Sequence, residues 1–323
     1  MSALPAPTLV VVGAADGAYA MPLAVMLRSL TARLAPPWHV EAHIFDDGLA
    51  PRERAAVEAS LDARCTLRWA TARGCELAAQ PLWGRMPRTT YQKLTLGSWL
   101  PAEIPRAIWL DCDLLVRTDL ARLWQERLGE HLALAARDPL VPRLGSRFGV
   151  AAHRELGLAR DAKYFNAGVL LIDLERWRAE RVEERAADYL ARYGRRLTFW
   201  DQEALNAVLA GRWGELDPRW NRNPNLHLLF PAVPAATENA ADDAWIAHFS
   251  GRLKPWTCPG ASPYQSEFEA HLDATAWAGW QSPRTWRSAL LARYAGSPLR
   301  RILFPLEQAW TAALRDLTRR PGG

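Results

Sequence analysis

The sequence predicts an α/β fold: a Rossmann-like, mostly parallel central sheet flanked by helices, followed by a helical C-terminal tail. Three observations carry this expectation. Short apolar runs alternate with longer helix-compatible stretches between Leu9 and Phe249, the pattern of a sheet covered on both faces. A composition of 49% apolar and 23% charged residues is that of a globular chain with a sizeable core. Acid-bearing turns follow two of the apolar runs, and ligands of such sheets bind at the carboxyl ends of the strands.

Leu9–Val12 is the first strand, ending at Gly13 ahead of the helix-compatible stretch Met21–Leu34. Val40–Phe45 is a second strand, closed by the turn Asp46-Asp47-Gly48. Pro51–Ala63 is helical in composition and Leu67–Ala70 is a third strand. Tyr91–Leu100 reads as a helix, then Ala107–Leu110 as a strand running into Asp111-Cys112-Asp113. Strands follow at Leu132–Ala136 and Gly168–Ile172, with helices around Arg181–Tyr193 and Gln202–Leu209. The Pro- and Asn-rich stretch from Asp217 to Pro234 is a loop, and Trp245–Phe249 is a short strand ending near His248.

Composition narrows the classes of function. No stretch approaches the ~20 uncharged apolar residues of a membrane span. The N-terminal apolar run has no Lys or Arg before it and meets Gly13 and Asp16 too soon for a secretory signal. A cytoplasmic protein is expected, with Cys65, Cys75, Cys112 and Cys258 as reduced thiols, because none forms a CxxC pair. The net charge of +5 is unevenly spread. From Ala276 onward eight arginines face only Glu307 and Asp316, so this segment carries +6 and the remainder about −1. Basicity confined to a tail, without a recognition motif, speaks against a nucleic-acid reader.

The run Ile108-Trp-Leu-Asp111-Cys112-Asp113 delivers two carboxylates at i and i+2 from a strand end. Carboxylate oxygens suit Mg²⁺ or Mn²⁺, which commonly bridge one or two acids to substrate phosphates. Taken alone, an acid pair that stabilises a turn fits as well. A DxD phosphatase, with the first Asp as nucleophile, is a further alternative. Such enzymes carry the motif near the chain start with Thr or Val two residues after the second Asp, where this chain has Leu115.

Further segments follow the DxD in order: Tyr164-Phe-Asn-Ala-Gly-Val-Leu-Leu-Ile-Asp173 with Trp177-Arg178, then Asp201-Gln202-Glu-Ala-Leu-Asn206, Arg219-Trp-Asn221, and His248-Phe-Ser-Gly251-Arg-Leu-Lys254-Pro-Trp256. With these the chain, from about Val10 to Trp256, resembles glycosyltransferase family 8. Its members are retaining enzymes that include glycogenin and bacterial lipopolysaccharide galactosyl- and glucosyltransferases. The resemblance implies a GT-A-type single domain, with residues 1–260 as a nucleotide-sugar-binding catalytic domain and 261–323 as a basic, Trp-containing tail.

It also implies roles for particular residues. Ala14, Ala15, Asp16 and Tyr19 would bind the nucleotide, with Tyr19 stacked on uracil. Asp111 and Asp113, around Cys112, would hold Mn²⁺ (or Mg²⁺) together with His248. Lys254 would neutralise the diphosphate, and Gly251 would let the backbone approach it. The sugar of a UDP-hexose would meet Arg88 or Lys93, Asp138, Asn166-Ala167-Gly168, Asp201 and Gln202. Two departures stand out: the family's Tyr-x-Arg is Tyr91-Gln92-Lys93, and the frequent Asn after Leu-Leu-Ile is Asp173. Gln202 is a poor nucleophile, which favours front-face substitution, with Asp201 or Asp138 left open as a covalent nucleophile. A non-catalytic UDP-sugar-binding protein is the remaining alternative.

The tail carries Trp277, Trp280, Trp286 and Trp310 among its arginines. Apolar residues at Leu306, Trp310, Leu314 and Leu317 form a helical stripe beginning near Pro305. A cationic helix of this kind suits an anionic membrane surface, consistent with a glycan or glycolipid acceptor at the inner face of the cytoplasmic membrane. A helix packed on the protein itself is the alternative.

Overall fold

The computed structural model describes residues 6–71, 88–225, 243–251, 253–260 and 262–282. A seven-stranded sheet in the order β3-β2-β1-β4-β7-β6-β8 forms its centre. The strands are β1 (Thr8–Ala15), β2 (His39–Asp46), β3 (Cys65–Ala70), β4 (Arg106–Leu110), β6 (Ala133–Arg137), β7 (Phe165–Asp173) and β8 (Trp213–Glu215). β5 (Leu114–Val116) pairs antiparallel with β9 (Ile246–His248) in a separate ribbon.

Burial on both faces explains the near-continuous apolar runs of the central strands. Along β1, Leu9, Val11 and Ala15 enter one core while Val12 and Ala14 enter the other. Ile108 and Leu110 of β4 oppose Ala107 and Trp109 in the same way, as the two-residue pleat requires. The helix α1 (Ala20–Arg33) fills the first of these cores through Leu23, Met26, Leu27 and Leu30, and the short α4 (Ala121–Trp124) adds Ala121 and Leu123. Pro22 lies in its first turn, where a missing N–H breaks no helical bond. On the other face α5 (Leu174–Ala179), α6 (Val182–Tyr193) and α7 (Trp200–Val208) cover the second core.

Strand direction positions the site. β1, β2, β3 and β4 run parallel, and so do β6 and β8, but β7 is antiparallel to both β4 and β6. The residues that follow β1, β4 and β6 therefore meet the first residues of β7 at one edge. Asp16, the Asp111–Asp113 turn, Asp138 and Asn166–Gly168 converge there. The β5–β9 pairing sets Leu114 opposite His248, which brings that histidine beside Asp113.

The structure differs from the sequence reading in several elements. Residues 91–100 are not one helix but a 3₁₀ segment, Arg88–Thr95, followed by a single turn α3 (Leu96–Trp99). The Thr95 hydroxyl donates back to the Gln92 carbonyl at 3.0 Å, a bond that competes with regular helix. Helix α2 (Pro51–Ala59) stops short of Ala63, where the Ser60 hydroxyl takes the Ala56 carbonyl at 2.7 Å. Asp173, one of the two departures from the family pattern, caps α5 by accepting from Arg176 N–H at 2.9 Å.

Residues 262–282, assigned to the tail from sequence, include α8 (Gln265–Leu272). Phe268 and Leu272 of this helix pack with Met21 and Val25 of α1 and with Phe249. Trp256 stacks on Phe268 at 5.4 Å between centroids. The tail helix expected near Pro305 and Cys75 lie outside the described residues. Among the described residues no helix is long and apolar enough to cross a membrane. Because Phe268 is only 2% exposed, Phe268→Ala is expected to destabilise the fold by about 3–5 kcal/mol. Urea unfolding checks this, and a loss below about 1 kcal/mol would mean that α8 is only loosely attached.

Candidate active site

An open cleft of about 650 Å³ lies along the edge where these turns meet. Asp16, Tyr19, Thr89, Lys254, Asp138, Leu140, Phe199 and Gln202 line it, together with Asp111, Asp113 and His248. Each is positioned by a local rule. Asp16 caps the 3₁₀ turn after β1, its Oδ1 accepting from the Ala18 and Tyr19 N–H groups at 3.0 and 3.2 Å. The Cys112 thiol donates to the Ala14 carbonyl at 3.1 Å and pins the DxD turn to β1.

The two DxD carboxylates share a design. Asp111 gives Oδ1 to the Trp109 indole N–H at 2.7 Å and to the Lys93 ammonium at 3.1 Å. Its Oδ2 faces His248 Nε2 at 3.8 Å. Asp113 gives Oδ2 to Lys254 and turns Oδ1 to the same His248 Nε2 at 3.3 Å. Each acid thus spends one oxygen on a lysine and points the other at a common centre. One ligand atom from each of the three residues lies within 4.8 Å of the others. Donors sit about 2.1 Å from an ion such as Mg²⁺, hence ~3 Å apart around it, so this set fits a small divalent cation.

Charge neutralisation sets the ionisation. Burial alone would raise the Asp113 carboxyl, but Lys254 and His248 outweigh it and hold the group well below the usual carboxylate range. Burial likewise opposes the Lys254 charge, and Asp113 more than offsets it. Lys93 is buried and also meets Asp201 at 2.9 Å and the Ala167 carbonyl at 3.2 Å. Its pKa stands above the usual lysine range because the two acids outweigh its burial. Asp201 goes the other way: burial pushes it up and Lys93 only partly counters. Tyr91, beside Asp201, is pushed up to about 12 by burial.

A polar network continues from the metal-type centre. His248 Nδ1 lies 2.8 Å from Asn221 Oδ1. The Asn221 amide donates to Asn166 Oδ1 at 2.9 Å, and Asn166 donates to Asp138 Oδ2 at 3.1 Å. Gln202 also donates to Asp138 Oδ2, at 3.0 Å, while its own oxygen accepts from Ala167 N–H at 3.1 Å. Asp138 Oδ1 accepts from the Leu140 and Val141 N–H groups. Gly168 makes room for the histidine, since a Cβ there would lie 2.3 Å from His248 Cε1. Gly251 has a φ of 89°, a conformation that favours glycine.

Most residues singled out from sequence meet in this cleft, but not all face it. Ala15 is buried in the core beneath the sheet, and its carbonyl accepts from Asp47 N–H. Ala167 is buried too, and its N–H and carbonyl hold Gln202 and Lys93. Lys93 does line the cleft, with its ammonium bonded to Asp111, Asp201 and the Ala167 carbonyl. The Arg88 side chain lies outside the described set. Trp109 and Asn221 were given no role by the sequence reading. For Trp109 the signal was present, because residues i and i+2 of a strand share a face.

A mostly parallel sheet bearing a DxD turn and a histidine at its carboxyl edge is the framework of a GT-A-type glycosyltransferase. The chain belongs to glycosyl transferase family 8, whose sequence profile matches residues 10–258. It is 27% identical over 287 residues to General stress protein A of Bacillus subtilis, covering 83% of this chain and 94% of that protein. It is 24% identical to the lipopolysaccharide 1,3-galactosyltransferase of Salmonella typhimurium, covering 73% of this chain and 69% of that protein. The galactosyltransferase LgtC, solved with donor and acceptor sugar analogs, superposes with a TM-score of 0.68 at 27% identity. That match covers 86% of this chain and 99% of LgtC. Family membership removes the phosphatase alternative.

Two substitutions probe the centre. Gly168→Ala is expected to displace His248 and weaken divalent-cation binding at least tenfold while the protein stays folded, read by electron paramagnetic resonance with Mn²⁺ as the probe; unchanged binding would show that the ring has room to move. Lys93→Met leaves Asp201 buried without its cation and should cost about 3–5 kcal/mol at neutral pH. Asp201 has a raised pKa in the folded state, so the folded variant takes up a proton before the unfolded chain does. Its deficit should therefore shrink as pH falls from neutrality towards ~4, the carboxyl value of an unfolded chain. Denaturation curves across that range check it, and a deficit that grows on acidification would contradict the assignment.

Proposed function

We propose that this chain is a retaining hexosyltransferase that moves galactose or glucose from a UDP-sugar to a glycan or glycolipid, in lipopolysaccharide or cell-surface polysaccharide synthesis. The observation that carries the proposal is the common centre of Asp111, Asp113 and His248, with a lysine behind each acid. Asp111, Asp113 and His248 would hold Mn²⁺ (or Mg²⁺), which when bound supplies Lewis-acid stabilisation of the departing diphosphate. The galactosyl- and glucosyltransferase relatives support the choice of hexose.

The chain's own residues then take the following parts. Tyr19 offers its ring to the base, with Trp256 edge-on to it at 6.2 Å and the Lys254 ammonium 5.7 Å from its centroid. Lys254, beside that ring and paired with Asp113, would transfer from Asp113 to the diphosphate. Asp138, Asn166 and Gln202, bonded to one another in the cleft wall, would present polar atoms to a hexose, whose epimers are told apart by hydrogen bonding. Asp138 already accepts four hydrogen bonds and Gln202 is held at both ends of its amide. Groups so engaged are poor nucleophiles, which supports front-face substitution over a covalent intermediate. The basic segment from Ala276 onward, described only as far as residue 282, is assigned by its charge to an anionic membrane surface; a chain ending at Thr275 should lose co-sedimentation with anionic liposomes, and unchanged binding would end that assignment.

The central test is a panel of nucleotide sugars with Mn²⁺, scored by donor hydrolysis and by NMR of the released anomer. One UDP-hexose should turn over with retention. Asp113→Ala should lower that turnover by ~10²–10³-fold or more, and with it the Mn²⁺-dependent binding of UDP. Wild-type hydrolysis by the variant in the presence of EDTA would overturn the metal assignment.

A further inference from the structure

The line of amides from His248 to Gln202 has a direction fixed by groups that cannot be turned around. A backbone N–H only donates and a carboxylate only accepts, whereas an Asn or Gln side chain can present either end. The Gly168 N–H, 3.0 Å from Asn166, must meet the oxygen of that side chain. Asp138 Oδ2, 3.1 Å from its other end, must meet the nitrogen. Asn166 is therefore held one way round from both sides. Its oxygen also faces Asn221 at 2.9 Å and so must receive the Asn221 nitrogen. What Asn221 has left for the histidine is its oxygen, 2.8 Å from Nδ1. An acceptor there requires the proton on Nδ1, which leaves a bare lone pair on Nε2, the nitrogen that faces Asp111 and Asp113.

We propose that Asn221 is a positioning residue that sets the His248 tautomer for metal ligation and ties the metal centre to the sugar end of the cleft through Asn166 and Asp138. This rests on the reading of Asp111, Asp113 and His248 as a metal site. Asn221 is well placed for the task, being 6% exposed at the end of the 3₁₀ turn Pro218–Asn221. Neighbouring backbone bonds hold both partners: Arg222 N–H donates to the Ile246 carbonyl and His248 N–H to the Arg222 carbonyl.

Two substitutions separate the two ends of the chain. Asn221→Asp keeps an acceptor opposite Nδ1 but sets a second acceptor against Asn166 Oδ1. Asn166 cannot turn over in response, because that would oppose its N–H to the Gly168 N–H and its oxygen to Asp138. Asn221→Ala loses both contacts. Mn²⁺ binding to the otherwise metal-free full chain is measured by electron paramagnetic resonance, and folding by circular dichroism. Asn221→Ala should weaken Mn²⁺ about 10- to 100-fold, whereas Asn221→Asp should stay within about threefold of the wild type. With Mn²⁺ present, Asn221→Asp should bind UDP as the wild type does but raise the UDP-hexose KM about tenfold.

Wild-type Mn²⁺ affinity in Asn221→Ala, or an equal loss in both variants, would overturn the proposal. A tautomer measurement stands apart from metal and donor. The ¹⁵N shifts of His248 in the metal-free wild type, with the imidazole neutral, should show the proton on Nδ1, and a proton on Nε2 would overturn the assignment. A wild type that binds no Mn²⁺ would sink the metal reading, while the tautomer measurement would still decide the role of Asn221.

Discussion

Two carboxylates aimed at one point repel each other, and this fold holds them there by placing a lysine behind each. Lys93 reaches Asp111 from the segment before β4, and Lys254 reaches Asp113 from beyond β9. Lys93 is buried and Lys254 is half-buried in the cleft wall, so both ion pairs are screened less than pairs on the open surface. Neither lysine is local to its acid in sequence. The charge balance of the centre thus depends on the whole fold being closed: the 3₁₀ segment against the sheet, and the β5–β9 ribbon against α1. Once that balance is met, the outward oxygens of the two acids and Nε2 of His248 share one point without a buried charge left unpaired.

The reversal of β7 is what makes the other half of the cleft. In a wholly parallel sheet the neighbour of β4 would send its final residues to the site edge. Here β7 sends its first ones, and Asn166 and Gly168 enter beside Asp111 with the strand still hydrogen-bonded behind them. The Asp111 N–H itself donates to the Gly168 carbonyl at 2.9 Å. The histidine packs where Gly168 has no side chain, so strand direction, a missing Cβ and ring placement form one arrangement.

Much of this was legible in the chain, for identifiable reasons. Strands buried on both faces leave apolar runs, so β1, β2, β4 and β7 stand out. β5 and β8 have three residues each, too few for any period, and nothing in an apolar run encodes the direction of β7. At the site, the ordered segments led to Asp111, Asp113, His248 and Lys254 as a group. The resemblance implied a sugar contact for Arg88 or Lys93; that the Lys93 ammonium also meets two acids and a carbonyl depends on the folded arrangement and has no local signal. Asn221 lay within a noted segment, yet its part depends on amide polarity, which is a property of the assembled network. The 3₁₀ geometry of 88–95 was hidden because a threonine-rich helical composition does not distinguish the two helix types.

The polar side chains that the sheet gives to the cleft leave it at one end of its strands, where Asp111, Asp113, Asp138 and Asn166 lie; the opposite rim is made of other turns. There the chain turns into β3 at Asp62–Arg64, into β4 at Pro101–Pro105 and into β6 at Glu126–Glu130. These turns hold strands in register but touch neither acid pair nor amide line. Loops of this kind tolerate length change far better than packed elements do. The far rim is accordingly the side on which the protein can be lengthened, tagged or re-cut, by evolution or by an engineer, while the charged edge stays as it is.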